Sequence, residues 1–125
     1  MPSILFDPTM RGLSDAMTLY QRRHEVLASN LANVETPRYR AKDLDFGAAL
    51  REAFEAASPP ADALPAEGSE RIVEDTTAPA RADGNTVDLD LQMAKLGANG
   101  GRYVALARIL GHRIALLRQA IEGSR

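Results

Sequence analysis

From Met10 onward, apolar or large residues recur at Met10, Leu13, Met17, Tyr20, His24, Leu27, Leu31 and Val34, with a spacing that alternates between three and four. An alternation held this long predicts a helix with one apolar stripe. Asp7-Pro8 marks its start, because an aspartate accepts from the free N–H groups of a first turn and proline costs nothing there. Pro37 marks its end by disfavouring helical geometry at Thr36, so the helix is expected to stop near Asn33 to Glu35, with asparagine tolerating a left-handed cap.

The last third of the chain repeats the design. Leu89, Met93, Leu96, Gly100, Tyr103, Ala107, Leu110, Ile114, Leu117 and Ile121 keep the same alternation, and Asp88 or Asp90 can cap the helix they imply. At 1.5 Å per residue the two helices would run roughly 40 Å and 50 Å. Rods of that length pair side by side. The expected fold class is therefore all-α, an antiparallel coiled-coil hairpin whose seam sets Leu13, Met17, Tyr20, Leu27 and Leu31 against Met93, Leu96, Tyr103, Leu110, Ile114 and Leu117. Gly97, Gly100 and Gly101 each cost about 1 kcal/mol relative to alanine in a helix interior. The stripe passes through Gly100 in register, which favours one continuous helix with a kink over two shorter ones.

Apolar residues also lie off the stripe: Leu19 and Val26 on the first helix, and Val104, Leu106, Ile109 and Leu116 on the second. A two-helix hairpin leaves such side chains uncovered, so Leu19, Val26, Leu106, Ile109 and Leu116 are expected to form an outer assembly face for copies of the chain or for partner helices.

Between the helices the composition shifts. Residues 47–87 hold eleven alanines and four of the seven prolines, with three arginines against eight acids. Gly47 to Ala57 reads as a short helix, because Leu50 and Phe54 share a face. Residues 58–86 bury too little apolar surface to offset the entropy of ordering and are expected to be flexible. The organisation is then 1–46, helix plus a loop; 47–87, an acidic insert; and 88–125, the second helix, with the two ends forming one helical domain.

Composition narrows the chemistry. There is no cysteine and there are two histidines, so thiolate chemistry is absent, and neither histidine has partners at metal-ligand spacing. No nucleophile elbow or phosphate loop frames the serines or glycines. The expectation is no enzyme, no cofactor and no metal. No apolar run approaches the roughly 18 residues of a membrane span, and residues 1–10 lack the basic start of a secretory signal. Lys95, Arg102, Arg108, Arg113 and Arg118 are spread singly along the last helix of an acidic chain, an arrangement that suits a solvated or acid-paired face better than a nucleic-acid surface.

The stretch HEVLASNLANVETPRYRAKDLDF, His24 to Phe46, contains Asn30, Asn33, Thr36, Pro37 and Tyr39 in the order Asn-x-x-Asn-x-x-Thr-Pro-x-Tyr, followed by Asp43 and Phe46. It resembles the N-terminal signature of the bacterial flagellar rod, hook and hook-associated proteins, and Arg40 to Phe46 is most similar to proximal-rod members. Asp83 to Asp90, then Met93 to Leu96, Asn99 and Tyr103, resemble the same members. The resemblance implies a structural rod subunit of the basal body in the periplasm, exported by the flagellar type III route without a cleavable signal. The implied partners are other rod subunits, proteins of the junction between membrane ring and export gate, and copies of itself. Family members usually carry glycine where Arg38 stands, so the turn there is expected to be built differently. Residue pattern alone would also fit a cytoplasmic coiled-coil adaptor or export chaperone.

Overall fold

A computed structural model describes residues 7–56 and 71–123. The elements run α1 (Pro8–Ala32), β1 (Lys42–Leu44), α2 (Phe46–Ala56), β2 (Ile72–Glu74) and α3 (Leu89–Glu122). The fold is mostly helical, with the long first and last helices packed together. α1 begins where its local signals place it: Asp7 is the N-cap, its carboxylate accepting from the Met10 N–H at 2.8 Å, and Pro8 follows. Asp88 caps α3 in the same way, accepting from the Leu91 N–H at 3.0 Å. α1 ends at Ala32, and Asn33 caps it at φ −107°, outside the left-handed region. α3 is one continuous helix through Gly97, Gly100 and Gly101.

The two long helices are antiparallel. Three polar contacts step along them in opposite senses: Asn30 to Gln92, Tyr20 to Asn99, and Asp7 to Arg113. On α3 the inward-facing residues are Gln92, Leu96, Asn99, Tyr103, Leu106, Leu110, Arg113 and Leu117, all buried or half-buried. This is a heptad line, but it is rotated by one residue from the apolar stripe at every second position. Gln92 takes the place of Met93, Asn99 that of Gly100, Leu106 that of Ala107 and Arg113 that of Ile114. The rotation turns Met93 and Ile114 outward, 57% and 53% exposed. Of the other expected seam residues, Leu27 is fully buried, while Leu13, Met17, Tyr20, Leu31, Leu96, Tyr103, Leu110 and Leu117 are half-buried.

α1 also carries α2 and β1 on a second flank, so it is the central helix. Phe54 of α2 lies so close to α1 that a Cβ on Gly12 would stand 2.7 Å from its ring, which only glycine permits. The Tyr20 and Phe46 rings stack tilted at 4.4 Å, and the Arg23 guanidinium sits 5.5 Å from the centre of the Phe46 ring.

Part of the acidic insert is ordered, contrary to the expectation from its composition; residues 57–70 lie outside the described residues. β2 pairs antiparallel with β1, with Lys42 opposite Glu74, Asp43 opposite Val73 and Leu44 opposite Ile72. Backbone bonds continue the contact beyond the strands, from Asp75 N–H to Ala41 C=O (2.8 Å), Thr86 N–H to Tyr39 C=O (3.0 Å) and Arg38 N–H to Asp83 C=O (3.0 Å). Asp75, Asn85, Thr86 and Val87 are buried. What orders this segment is chiefly hydrogen bonding to the 38–45 loop, a source of stability that apolar composition does not report.

Candidate assembly interface

Where α1 ends, the signature residues meet the start of α3 in one polar node. Asn30 is fully buried and satisfies the backbone of Lys42 twice, donating to its C=O (2.6 Å) and accepting from its N–H (2.9 Å), as a paired strand would. Its amide also donates to Gln92 Oε1 at 3.0 Å, and Tyr39 donates its hydroxyl to Asn30 Oδ1 at 3.3 Å. Asn33 donates to Ser29 C=O at 2.8 Å and accepts from the Thr36 hydroxyl at 3.1 Å, closing the last turn of α1. Pro37 is exposed at the turn.

Four charged groups form the second half of the node. Arg23 grips Asp43 with two bonds, 2.8 and 2.9 Å, and Lys95 stands between Asp43 (3.2 Å) and Asp75 (2.5 Å). Two cations balance two anions. Burial pushes the Asp75 carboxyl up, but the Lys95 ammonium and the Thr77 hydroxyl and N–H outweigh it and hold the group at about 2. Burial likewise opposes ionisation of Asp43, and Arg23, the Leu44 N–H and Lys95 together hold its carboxyl below the usual range. In a cluster of this kind the net contribution to stability is small, whereas removing one member strands a buried charge at roughly 3–5 kcal/mol.

Arg23, Asp75, Asn85 and Gln92 are members of the node that residue patterning does not single out, and Lys95, read as one of the basic residues spread along the last helix, is paired with acids at its centre. Asn85 is the clearest: fully buried, its amide points at the C=O groups of Asn33 (2.9 Å), Val34 (3.1 Å) and Thr36 (2.8 Å) at the end of α1, and its Oδ1 accepts from the Val87 N–H at 2.7 Å. Arg81 donates to Val34 C=O as well. Asn85 and Thr86 stand in the stretch that resembles the flagellar proteins, and that is the only signal the sequence carries for them.

The node fixes where α3 points, and α3 presents apolar side chains to solvent along its length. Leu89, Met93, Val104, Ile109, Ile114, Leu116 and Ile121 are 47–57% exposed. Of the five residues expected on an outer assembly face, Ile109 and Leu116 are exposed. Leu106 is half-buried on the inward line. Val26 is buried beside a groove of about 220 Å³ that it shares with Tyr39, Lys42 and Ile72, and Leu19 is half-buried, because α1 carries α2 and the strand pair on its second flank. Most of the open apolar surface thus belongs to α3, with Phe54 of α2 and Ile72 and Val73 of β2 exposed to a lesser degree. Among the described residues no helix is long and apolar enough to cross a membrane, and no three His, Asp or Glu side chains gather as a metal site.

Residues 10–40 match the family model described as flagella basal body rod protein. The chain is 35% identical to the flagellar basal body rod protein FlgB of Cereibacter sphaeroides over 88% of this chain and 91% of that protein. It is 31% identical to FlgB of Escherichia coli over 78% and 80% of the two chains, and 26% identical to FlgB of Salmonella typhimurium over 94% and 95%. With these matches spanning both long helices and the node between them, the chain belongs to the FlgB family of flagellar basal body rod proteins.

Proposed function

We propose that this chain is a structural, non-catalytic subunit of the proximal rod of the flagellar basal body, that it assembles through its long helices, and that it transmits torque. The observation that carries the reading is the set of exposed apolar residues on both flanks of α3, a helix whose position is locked by buried polar contacts to α1. Large apolar side chains exposed in that number along one helix call for cover by neighbours. Polar contacts at Gln92, Asn99 and Arg113 resist sliding of one helix past the other, which suits a part loaded along and around its axis. Membership of the family supports the basal body as its location. Its neighbours are other rod subunits, copies of itself and the proteins joining the rod to the membrane ring and export gate, and it arrives by the flagellar type III route without a cleavable signal.

The test uses the doubly substituted Ile109→Asp, Leu116→Asp chain in a bacterium deleted for its own gene. Exposed residues tolerate the change, so the variant is expected to fold, to be exported and to leave cells non-motile with no rod beyond the membrane ring. Normal swimming by the variant contradicts the reading. Retention of the wild-type chain in the cytoplasm as a discrete dimer would instead favour an adaptor or export chaperone.

A further inference from the structure

One line of α3 is open in a particular way. Met93, Gly97, Gly101, Val104, Arg108 and Gly111 follow one another at helical spacing, and a Cβ built on any of the three glycines meets nothing within 4 Å. Each glycine costs the helix about 1 kcal/mol relative to alanine, and nothing within the described chain uses the room it leaves. From 91 to 121 every charged residue is basic. Lys95 pairs with Asp43 and Asp75, Arg113 with Asp7 and Arg118 with Glu122, whereas Arg102 and Arg108 have no carboxylate within salt-bridge distance among the described residues.

On α2 the complement is present. Phe54 packs against Gly12 and remains 44% exposed, and the neighbouring Glu55 is exposed with no salt-bridge partner among the described residues.

We infer that the glycine-lined stripe of α3 receives α2 of a second copy, with Phe54 seated in the room left by Gly101 and Glu55 paired to Arg108 two turns further along the same helix. This rests on the reading of the chain as a self-assembling subunit and names the surfaces that meet. The contact joins two different patches, so each copy keeps a free α2 and a free α3 stripe, and the arrangement propagates as a ring or an open helix rather than stopping at a dimer.

Sedimentation velocity of the full chain over a range of concentrations tests it. The wild type is expected to self-associate. Gly101→Leu fills the groove and favours the helix, so the variant is expected to keep or raise its melting temperature while associating at least tenfold more weakly. Arg108→Glu is expected to weaken association similarly, and mixing it with Glu55→Arg is expected to restore oligomers that neither variant forms alone. Association unchanged in both Gly101→Leu and Arg108→Glu, yet lost in Ile109→Asp, Leu116→Asp, overturns this contact and leaves the assembly reading standing. Weakening without rescue in the mixture overturns α2 as the occupant. A wild-type chain that stays monomeric at every concentration overturns both.

Discussion

The Asn30 side-chain amide donates to Gln92 Oε1 across 3.0 Å, joining residues 62 positions apart in the chain, both buried. The same asparagine holds the backbone of Lys42, and the same glutamine lies 3.5 Å from Asp75. One pair of amides therefore ties both long helices to the strand pair, and it does so at the sequence signature that marks the family. A loop fixed to the start of α3 sets which residues of that helix face outward, so the node decides which apolar side chains of α3 stay exposed.

Asn85 is expected to be among the most sensitive positions outside the apolar core. Asn85→Ala removes the donor to three C=O groups at the end of α1 and leaves the buried Val87 N–H without its acceptor. The expected loss is about 2–3 kcal/mol, measured by urea denaturation followed by circular dichroism. A loss under about 0.5 kcal/mol would mean that water replaces the amide without penalty.

Arg38 occupies the left-handed region, φ 60°, in the turn where the sequence resemblance implies a glycine. An L side chain there costs about 1–2 kcal/mol, and glycine gives back about 0.5–1 kcal/mol in unfolded-state entropy. Arg38→Gly is thus expected to stabilise by roughly 0.5 kcal/mol. Gly84, at φ 80° and next to Arg38, reports the opposite case, with Gly84→Ala destabilising by about 1 kcal/mol. Thermal melts of the two variants should move in opposite directions.

Much of this fold is legible in sequence, and the limit is physical. Asp7-Pro8 and Asp88 announce helix starts because capping is local, and Leu50 with Phe54 announces α2 because four residues return to the same face. The seam of α3 is read one residue out of register at alternate positions because periodicity counts Gln92, Asn99 and Arg113 as surface, whereas each has a partner on α1 that no local pattern reveals. Strands of three residues are too short to show alternation. The order of residues 71–87 depends on hydrogen bonds to a loop some 40 residues earlier, so an alanine-rich, acidic composition points the wrong way.

Asp75 gives the fold a defined acid response. Its carboxyl is held at about 2, against 3.8 when unperturbed. Because the folded value is the lower one, the stabilisation is complete above pH 3.8 and disappears as pH falls towards 2, an amount of roughly 2 kcal/mol. Asp75→Asn lacks this term. The stability gap between wild type and variant is expected to be widest above pH 5 and to narrow by that amount at pH 2, in denaturation curves at the two pH values. A gap independent of pH would contradict the pairing of Asp75 with Lys95.

Asn99 separates stability from register. It is buried and donates to Tyr20 C=O at 2.8 Å, while its own Oδ1 has no partner among the described residues. Asn99→Leu is expected to stabilise the monomer by about 1 kcal/mol, since an unsatisfied polar atom is replaced by apolar packing. It is also expected to loosen the choice of register, as the loss of a buried polar residue does in coiled coils. Spin labels on Thr18 and Arg102 would read a broader distance distribution in the variant; an unchanged, narrow one would assign register to Gln92 and Arg113 alone.

The central claim is that neighbours in the rod cover the outer face of α3. A cryo-electron microscopy map of basal bodies isolated from the bacterium that makes this chain tests it directly. The account predicts the paired α1 and α3 helices in the proximal rod, with Ile109 and Leu116 buried against adjacent subunits. A rod without this chain, or one in which those two side chains face solvent, would contradict it.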